Sequence, residues 1–203
     1  MPEGLFGLLE DLVRIPSVNP MGRDVSGDIY YEDKMTSYLE NWFTNLGVKF
    51  RRNTLEPGRD NIAAVMPGSR SVEDGGRLIM LEAHQDTVPI DGMTVEPFDP
   101  VIQDGKMYGR GSCDIKGGMA CMLMAFKRFV ETPPPDRPTV VMACTVNEEF
   151  GMSGAAKLCD LWLEEQWIPQ PDAIIVAEPT LLDVVVAHKG VTRFELQVPG
   201  VAC

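Results

Sequence analysis

Apolar residues along this chain follow two periods. Leu5, Leu8, Leu9, Leu12 and Val13 recur every three to four positions, so residues 3–14 are predicted to form a helix with one apolar stripe, closed by Pro16. The spacing returns in Tyr31, Met35, Tyr38, Leu39, Trp42, Phe43 and Leu46, and Gly47 stands where a helix takes its C-terminal cap. An aromatic stripe at helical spacing reads as core packing rather than a ligand surface. A third helix is predicted over 116–130, with Met119, Met122, Leu123, Phe126 and Phe129 inward and Pro133-Pro134-Pro135 as its stop. Residues 155–166 read as a fourth.

Shorter apolar runs lie between the helices. Residues 48–53, 61–66, 77–84, 139–146, 172–177, 184–188 and 192–198 are predicted strands. Glu56-Pro57-Gly58, Pro67-Gly68 and Asp104-Gly105-Lys106 mark turns. Within 139–146 the residues 140–144 are continuously apolar, as strands buried on both faces are. Strands alternating with helices predict an α/β fold, a mostly parallel sheet with helices on both faces. The 203 residues suffice for one sizeable domain, and no repeat, low-complexity tract or linker divides them.

Polar residues break this pattern at strand ends. The run from Leu78 ends in His84 and Asp86, and the run from Thr139 ends in Glu148-Glu149. Residues 172–177 end in Glu178, and Asp114 sits among Gly111, Gly117 and Gly118, which allow close backbone approach. Ligands of open α/β sheets gather outside the carboxyl ends of strands. Carboxylates that converge there repel unless a cation or proton lies between them. A histidine with several carboxylates suits Zn²⁺, and also Mn²⁺ or Co²⁺, and two such ions commonly share a bridging carboxylate and water. Taken singly, each residue keeps another reading. Asp86 serves as a turn cap, Asp114 as a helix N-cap, Glu148-Glu149 as a solvated pair, and Glu178 as a turn residue before Pro179. His188 reads as structural, and Arg110 as either a substrate contact or half of an ion pair.

Charge and cysteines narrow the picture further. The net charge of -12 argues against nucleic acid or an anionic membrane as partner. Five of the negative charges belong to Asp86, Asp114, Glu148, Glu149 and Glu178, and two divalent cations would offset four of them. No apolar run approaches the ~20 residues of a membrane helix, and the first residues lack the basic segment of a signal peptide. Cys113, Cys121, Cys144, Cys159 and Cys203 are odd in number and scattered, which points to a reduced, cytoplasmic setting rather than a disulfide framework or a zinc ribbon.

Taken in order, several of these segments resemble one family. They are His84-Gln85-Asp86-Thr87-Val88-Pro89, Pro97-Phe98, the run 104–111, Asp114-Ile115-Lys116-Gly117-Gly118, Glu148-Glu149-Phe150-Gly151 and Glu178-Pro179. The chain resembles the co-catalytic zinc amidohydrolase and peptidase family that includes acetylornithine deacetylase, succinyl-diaminopimelate desuccinylase, aminoacylase and glutamate carboxypeptidase. The resemblance implies a zinc-exopeptidase-like catalytic domain that holds two divalent metal ions. His84 would bind the first, with Asp86 accepting from its ring. Asp114 would bridge both ions, Glu149 would bind the second, and Glu178 would complete the first site. Glu148 would be the general base in hydrolysis of an N-acyl amino acid or small peptide, with an acetylornithine deacetylase-like substrate the first expectation.

The resemblance also carries expectations of extent. His188-Lys189-Gly190 matches the segment where relatives leave the catalytic domain for a lid and dimerisation domain. Residues 1–190 are thus expected to be the N-terminal part of the catalytic domain of a homodimeric enzyme, and 191–203 the start of the lid. Family members carry a further metal-binding histidine and a lid histidine, whereas this chain has only His84 and His188. A truncated, catalytically incomplete metal-binding fragment is therefore an alternative, and a scaffold with surface acids a third. Met93 stands where many relatives have Trp, and Asn147 where an acid is common.

Overall fold

A computed structural model of the chain describes residues 4–187, 189, 190, 192 and 194–200. Its elements in order are α1 (Gly4–Arg14), α2 (Asp33–Leu46), β1 (Lys49–Glu56), β2 (Arg59–Met66), β3 (Leu78–His84), β4 (Val101–Gln103), β5 (Lys106–Tyr108), α3 (Lys116–Glu131), β6 (Thr139–Thr145), α4 (Ser153–Leu158), α5 (Asp160–Leu163) and β7 (Ala173–Val176). Five strands form one sheet in the order β1-β2-β6-β3-β7. The strands β6, β3 and β7 run parallel, and the β1–β2 hairpin joins them antiparallel through β2 and β6. The predicted parallel sheet is thus the half that carries the site, and a hairpin extends it.

Each face has its own core. Leu8, Leu12, Leu39, Phe43, Met119 and Phe126 from α1, α2 and α3 pack on Ile62, Ala83, Met142 and Cys144. On the other face, Leu158, Leu161 and Ile168 pack on Leu78, Met80, Val141 and Ala143. Helices on both faces explain why Val140–Cys144 is apolar throughout. Gly47 ends α2 with a positive φ of 70°. Asp104 and Gly105 both have positive φ and close the β4–β5 hairpin as the two-residue turn such a pair favours.

Two predictions change. The single helix over 155–166 is instead two short helices, α4 and α5, that meet at Cys159, and the chain turns back at Gln166 (φ 49°). The amides of Trp167 and Ile168 then both bond the Leu161 carbonyl, which seats Ile168 in the core instead of lengthening the helix. Strands were predicted over 184–188 and 192–198, yet residues 184–187, 192 and 194–198 form none. Val184, Val186, Phe194, Leu196 and Val198 are 80–92% exposed, and strand propensity without a neighbouring strand to pair with does not make a strand. His188, Val191 and Arg193 lie outside the described residues.

One contact limits what this arrangement tolerates. A Cβ on Gly154 would lie 1.8 Å from the Val146 carbonyl oxygen, and the Gly154 carbonyl accepts from Asn61 Nδ2 at 2.8 Å. Gly154→Ala is expected to destabilise the fold by at least ~1–3 kcal/mol, the usual range for overpacking. A thermal melt unchanged from wild type would show that α4 can shift away at no cost.

Candidate metal centre

The register of the sheet sets the site. His84 ends β3 directly opposite Thr145, which ends β6, so both strands release their chains at the same edge. The loop after α1 lies against this edge. The Asn19 amide bonds the Thr87 carbonyl at 2.8 Å, and the Thr87 amide bonds the Ser17 carbonyl at 3.0 Å. That pairing carries Asn19, which is fully buried, into the site.

His84 is 2% exposed. Its Nδ1 donates to the backbone carbonyl of Asp86 at 2.9 Å, which leaves Nε2 facing Asp114 Oδ1 at 3.3 Å and Glu148 Oε2 at 4.0 Å. This is the orientation a ligating imidazole needs, with one nitrogen tied and the other free. The Asp86 carboxylate stands 3.6 Å from Nδ1 and is mainly engaged elsewhere. It accepts from Asn19 Nδ2 at 2.7 Å and from the amides of Glu148 at 3.0 Å and Glu149 at 3.1 Å. Asp86 therefore shapes the turn that presents both glutamates. Burial alone would raise its pKa, but these bonds and His84 hold it below the ordinary aspartate value.

Asn147 begins that turn with a φ of 58°, a left-handed conformation that asparagine adopts more readily than most residues. Its side chain accepts from Asn19 at 2.9 Å and donates to Ser153 Oγ at 2.6 Å, and its amide donates to Glu32 at 3.2 Å. Glu149 Oε1 accepts from the Val88 amide at 3.2 Å.

One ligand atom each from His84, Asp114 and Glu149 lie within 4.8 Å of one another. Glu178 is exposed and outside that trio, though its carboxyl is within electrostatic reach of His84, Glu148 and Asp114. Among the described residues, the only cationic partner of Asp114 and Glu148 is His84 itself. The group titrates accordingly. Burial disfavours the charged imidazolium, but bonds to Asp114 and Asp86 and the charge of Glu148 outweigh it and push the His84 pKa up to about 11. Burial, with the nearby acids, lifts Glu149 to about 7 and raises Glu148 and Glu178 above the ordinary glutamate value. An imidazole among converging carboxylates is a donor set that fits a divalent ion.

Neighbouring residues have structural partners. Arg110 donates to the Pro89 carbonyl at 2.7 Å, which gives it a backbone contact in place of the ion pair the sequence left open. Lys116 is fully buried and donates to the Ile15 carbonyl at 2.7 Å, and burial lowers its pKa to about 7. The sequence reading passed over Asn19, Glu32 and Glu82. Of these, only Glu82 left a trace, as an acid inside an otherwise apolar strand.

Known proteins share this fold. Residues 80–200 match the model of peptidase family M20/M25/M40, a span that holds all six candidate residues. An M20 family metallo-carboxypeptidase from Sulfolobus solfataricus superposes with a TM-score of 0.66 at 20% identity, over 86% of this chain and 37% of that one. A tripeptidase from Staphylococcus aureus gives 0.63 at 21%, over 85% and 42%. A dinuclear metal binding peptidase of the M20 family from Bacillus subtilis gives 0.58 at 18%, over 85% and 41%. The chain thus spans about two-fifths of the length of these structures. With the family model matched over more than half of its residues, the chain belongs to peptidase family M20/M25/M40.

Proposed function

We propose that this chain provides the metal-binding part of a hydrolase that cleaves the amide bond of an N-acyl amino acid or small peptide. The observation that carries the reading is the convergence of His84, Asp114 and Glu149 within 4.8 Å beside Glu148. His84, Asp114 and Glu178 would hold one divalent ion, and Asp114 and Glu149 a second, with Zn²⁺ first and Co²⁺ or Mn²⁺ as alternatives. Such a pair supplies an activated water and polarises the scissile carbonyl.

The chain's own residues supply the rest. Glu148 takes the proton of the attacking water and returns it to the leaving amine. Its raised pKa, due first to burial and then to Asp86 and Asp114, makes it a stronger base than an ordinary glutamate. Asp86 holds Glu148 and Glu149 by their amides, and its backbone carbonyl fixes the His84 ring. An acetylornithine-like N-acyl substrate is favoured by the forms Glu178-Pro179 and His188-Lys189-Gly190, the latter partly outside the described residues. On the same reading, residues 1–190 belong to the catalytic domain, 191–203 open the lid, and the enzyme is a cytoplasmic homodimer.

A zinc titration with a substrate panel tests this. Two equivalents bound with turnover support the enzyme. One equivalent without turnover supports a chain that binds metal but is catalytically incomplete, a reading favoured by its having only two histidines. No binding sinks both. The titration has a signed pH dependence. His84 and Glu149 must both release protons to bind the ion, so zinc affinity is expected to rise from pH 5 to 8. The zinc-free fold runs the other way. The contribution of His84 is complete below its ordinary 6.5 and lost toward about 11, and that of Glu149 is complete below 4.5 and lost toward about 7. The rise in melting temperature on adding zinc should therefore grow with pH.

A further inference from the structure

The face of β3 that carries His84 is apolar until Glu82. Alternate residues of a strand share a face, so Leu78, Met80, Glu82 and His84 form one row. Leu78 and Met80 are fully buried in the core on that face. Glu82 is the next position, flanked by Ala143 of β6 and Val176 of β7. An apolar side chain would continue the row there, and a carboxylate loses hydration instead.

Its partners do not compensate that loss. Thr145 Oγ1 donates to Glu82 Oε1 at 2.6 Å, and Thr145 is the residue opposite His84. Among the described residues, no lysine or arginine pairs with Glu82. Glu82 is half-buried, whereas the fully buried Glu32 has Arg59 at 2.6 Å. Glu82 instead sits two residues before His84 on the same strand face, bonded to the residue paired with His84. Thr145 thus anchors an acid directly behind the metal centre.

We propose that Glu82 is a positioning residue of the metal centre: a divalent ion held by His84, Asp114 and Glu149 compensates its charge, and Glu82 in return tightens retention of that ion. The proposal rests on the reading of the site given under Proposed function. Charges set in a partly buried site are screened far less than surface pairs, so Glu82 need not touch the ion to act on it. Residues just outside a ligand set typically change metal affinity by about 10–100-fold.

Zinc affinity, by competition with a chromogenic chelator, and thermal unfolding of the zinc-free form are measured on the 203-residue chain. Wild type is compared with Glu82→Gln, Glu82→Met and His84→Ala. Glutamine keeps an acceptor for Thr145, and methionine continues the apolar row, so either variant can serve if the other folds poorly. Both are expected to bind zinc about 10–100-fold more weakly, while their zinc-free forms unfold at or above the wild-type temperature. A role confined to holding Thr145 predicts the reverse, a less stable zinc-free fold with zinc affinity within twofold of wild type, and that result overturns the proposal. His84→Ala keeps the two readings apart. If it loses zinc while the Glu82 variants keep it, only the Glu82 proposal falls. If wild type and His84→Ala bind zinc alike, the metal centre falls with it.

Discussion

Glu148→Gln is expected to lower amide hydrolysis by about 10²–10⁴-fold, the usual contribution of a positioned general base, with little change in zinc content. Glutamine keeps the size of the side chain and cannot accept the proton. The backbone of the turn should hold, because it is fixed by amides bonded to Asp86 and not by the Glu148 carboxylate. Glu149→Gln gives the contrasting outcome, since Glu149 belongs to the trio of candidate ligands and its loss should appear first as weaker metal retention. Kinetics at saturating zinc, alongside metal analysis of each variant, separate the two. Full activity in Glu148→Gln would remove the base from the mechanism proposed for this family member.

The second large effect lies beneath the site. Glu32 is fully buried and Arg59 nearly so, and they are joined by contacts of 2.9 and 2.6 Å. Their titration differs in sense. Burial outweighs the pull of Arg59 and raises Glu32, whereas Glu32 more than offsets the burial of Arg59 and keeps it charged. The cost of desolvation therefore falls on the acid, and the pair is expensive to break by removing one partner alone. Arg59→Met leaves Glu32 without its cation and is expected to cost about 3–5 kcal/mol. For a chain of this size that is a fall of roughly 6–20 °C in melting temperature. Replacing both residues by methionine should cost less than the sum of the single changes, because no lone charge is left. Additive single and double effects, read from denaturant midpoints, would contradict this coupling.

Much of this arrangement was legible before any coordinates. The helices at 4–14, 33–46 and 116–131 follow their apolar stripes, and the site-bearing strands follow their apolar runs. Six candidate residues stand out in the sequence because each follows a hydrophobic run or sits among glycines, and the structure groups His84, Asp114 and Glu149 and leaves Glu178 outside that trio. The contacts between them were not legible in the sequence. Asp86 was expected to hold the imidazole with its carboxylate, but the backbone carbonyl is the nearer partner and the carboxylate serves the next turn. Nothing in Tyr31-Glu32-Asp33 distinguishes a buried ion-pair partner from a helix-start acid, because Arg59 is 27 positions away and only the folded sheet brings it close. Asn19 sits in a loop of ordinary turn residues, and its bonds to Asp86 and Asn147 span 67 and 128 positions. Residues 184–187 and 194–198 show the opposite limit, where local preference for strand found no neighbour to satisfy it.

The hairpin grafted onto the parallel strands has a consequence for how fast the site is made. Strands β1 and β2 meet across a two-residue turn, and forming such a hairpin takes about 1–10 microseconds. β3 and β6 meet only after a crossover through α3, and the Glu82–Thr145 and Asp86–Glu148 bonds close over 63 and 62 positions. Each such closure loses chain entropy before any contact rewards it, so long-range parallel pairing is the slow part of folding. The residues that gather around the candidate metal come from both sides of that crossover. The candidate metal centre is therefore assembled in the late, slow phase, after the hairpin has formed.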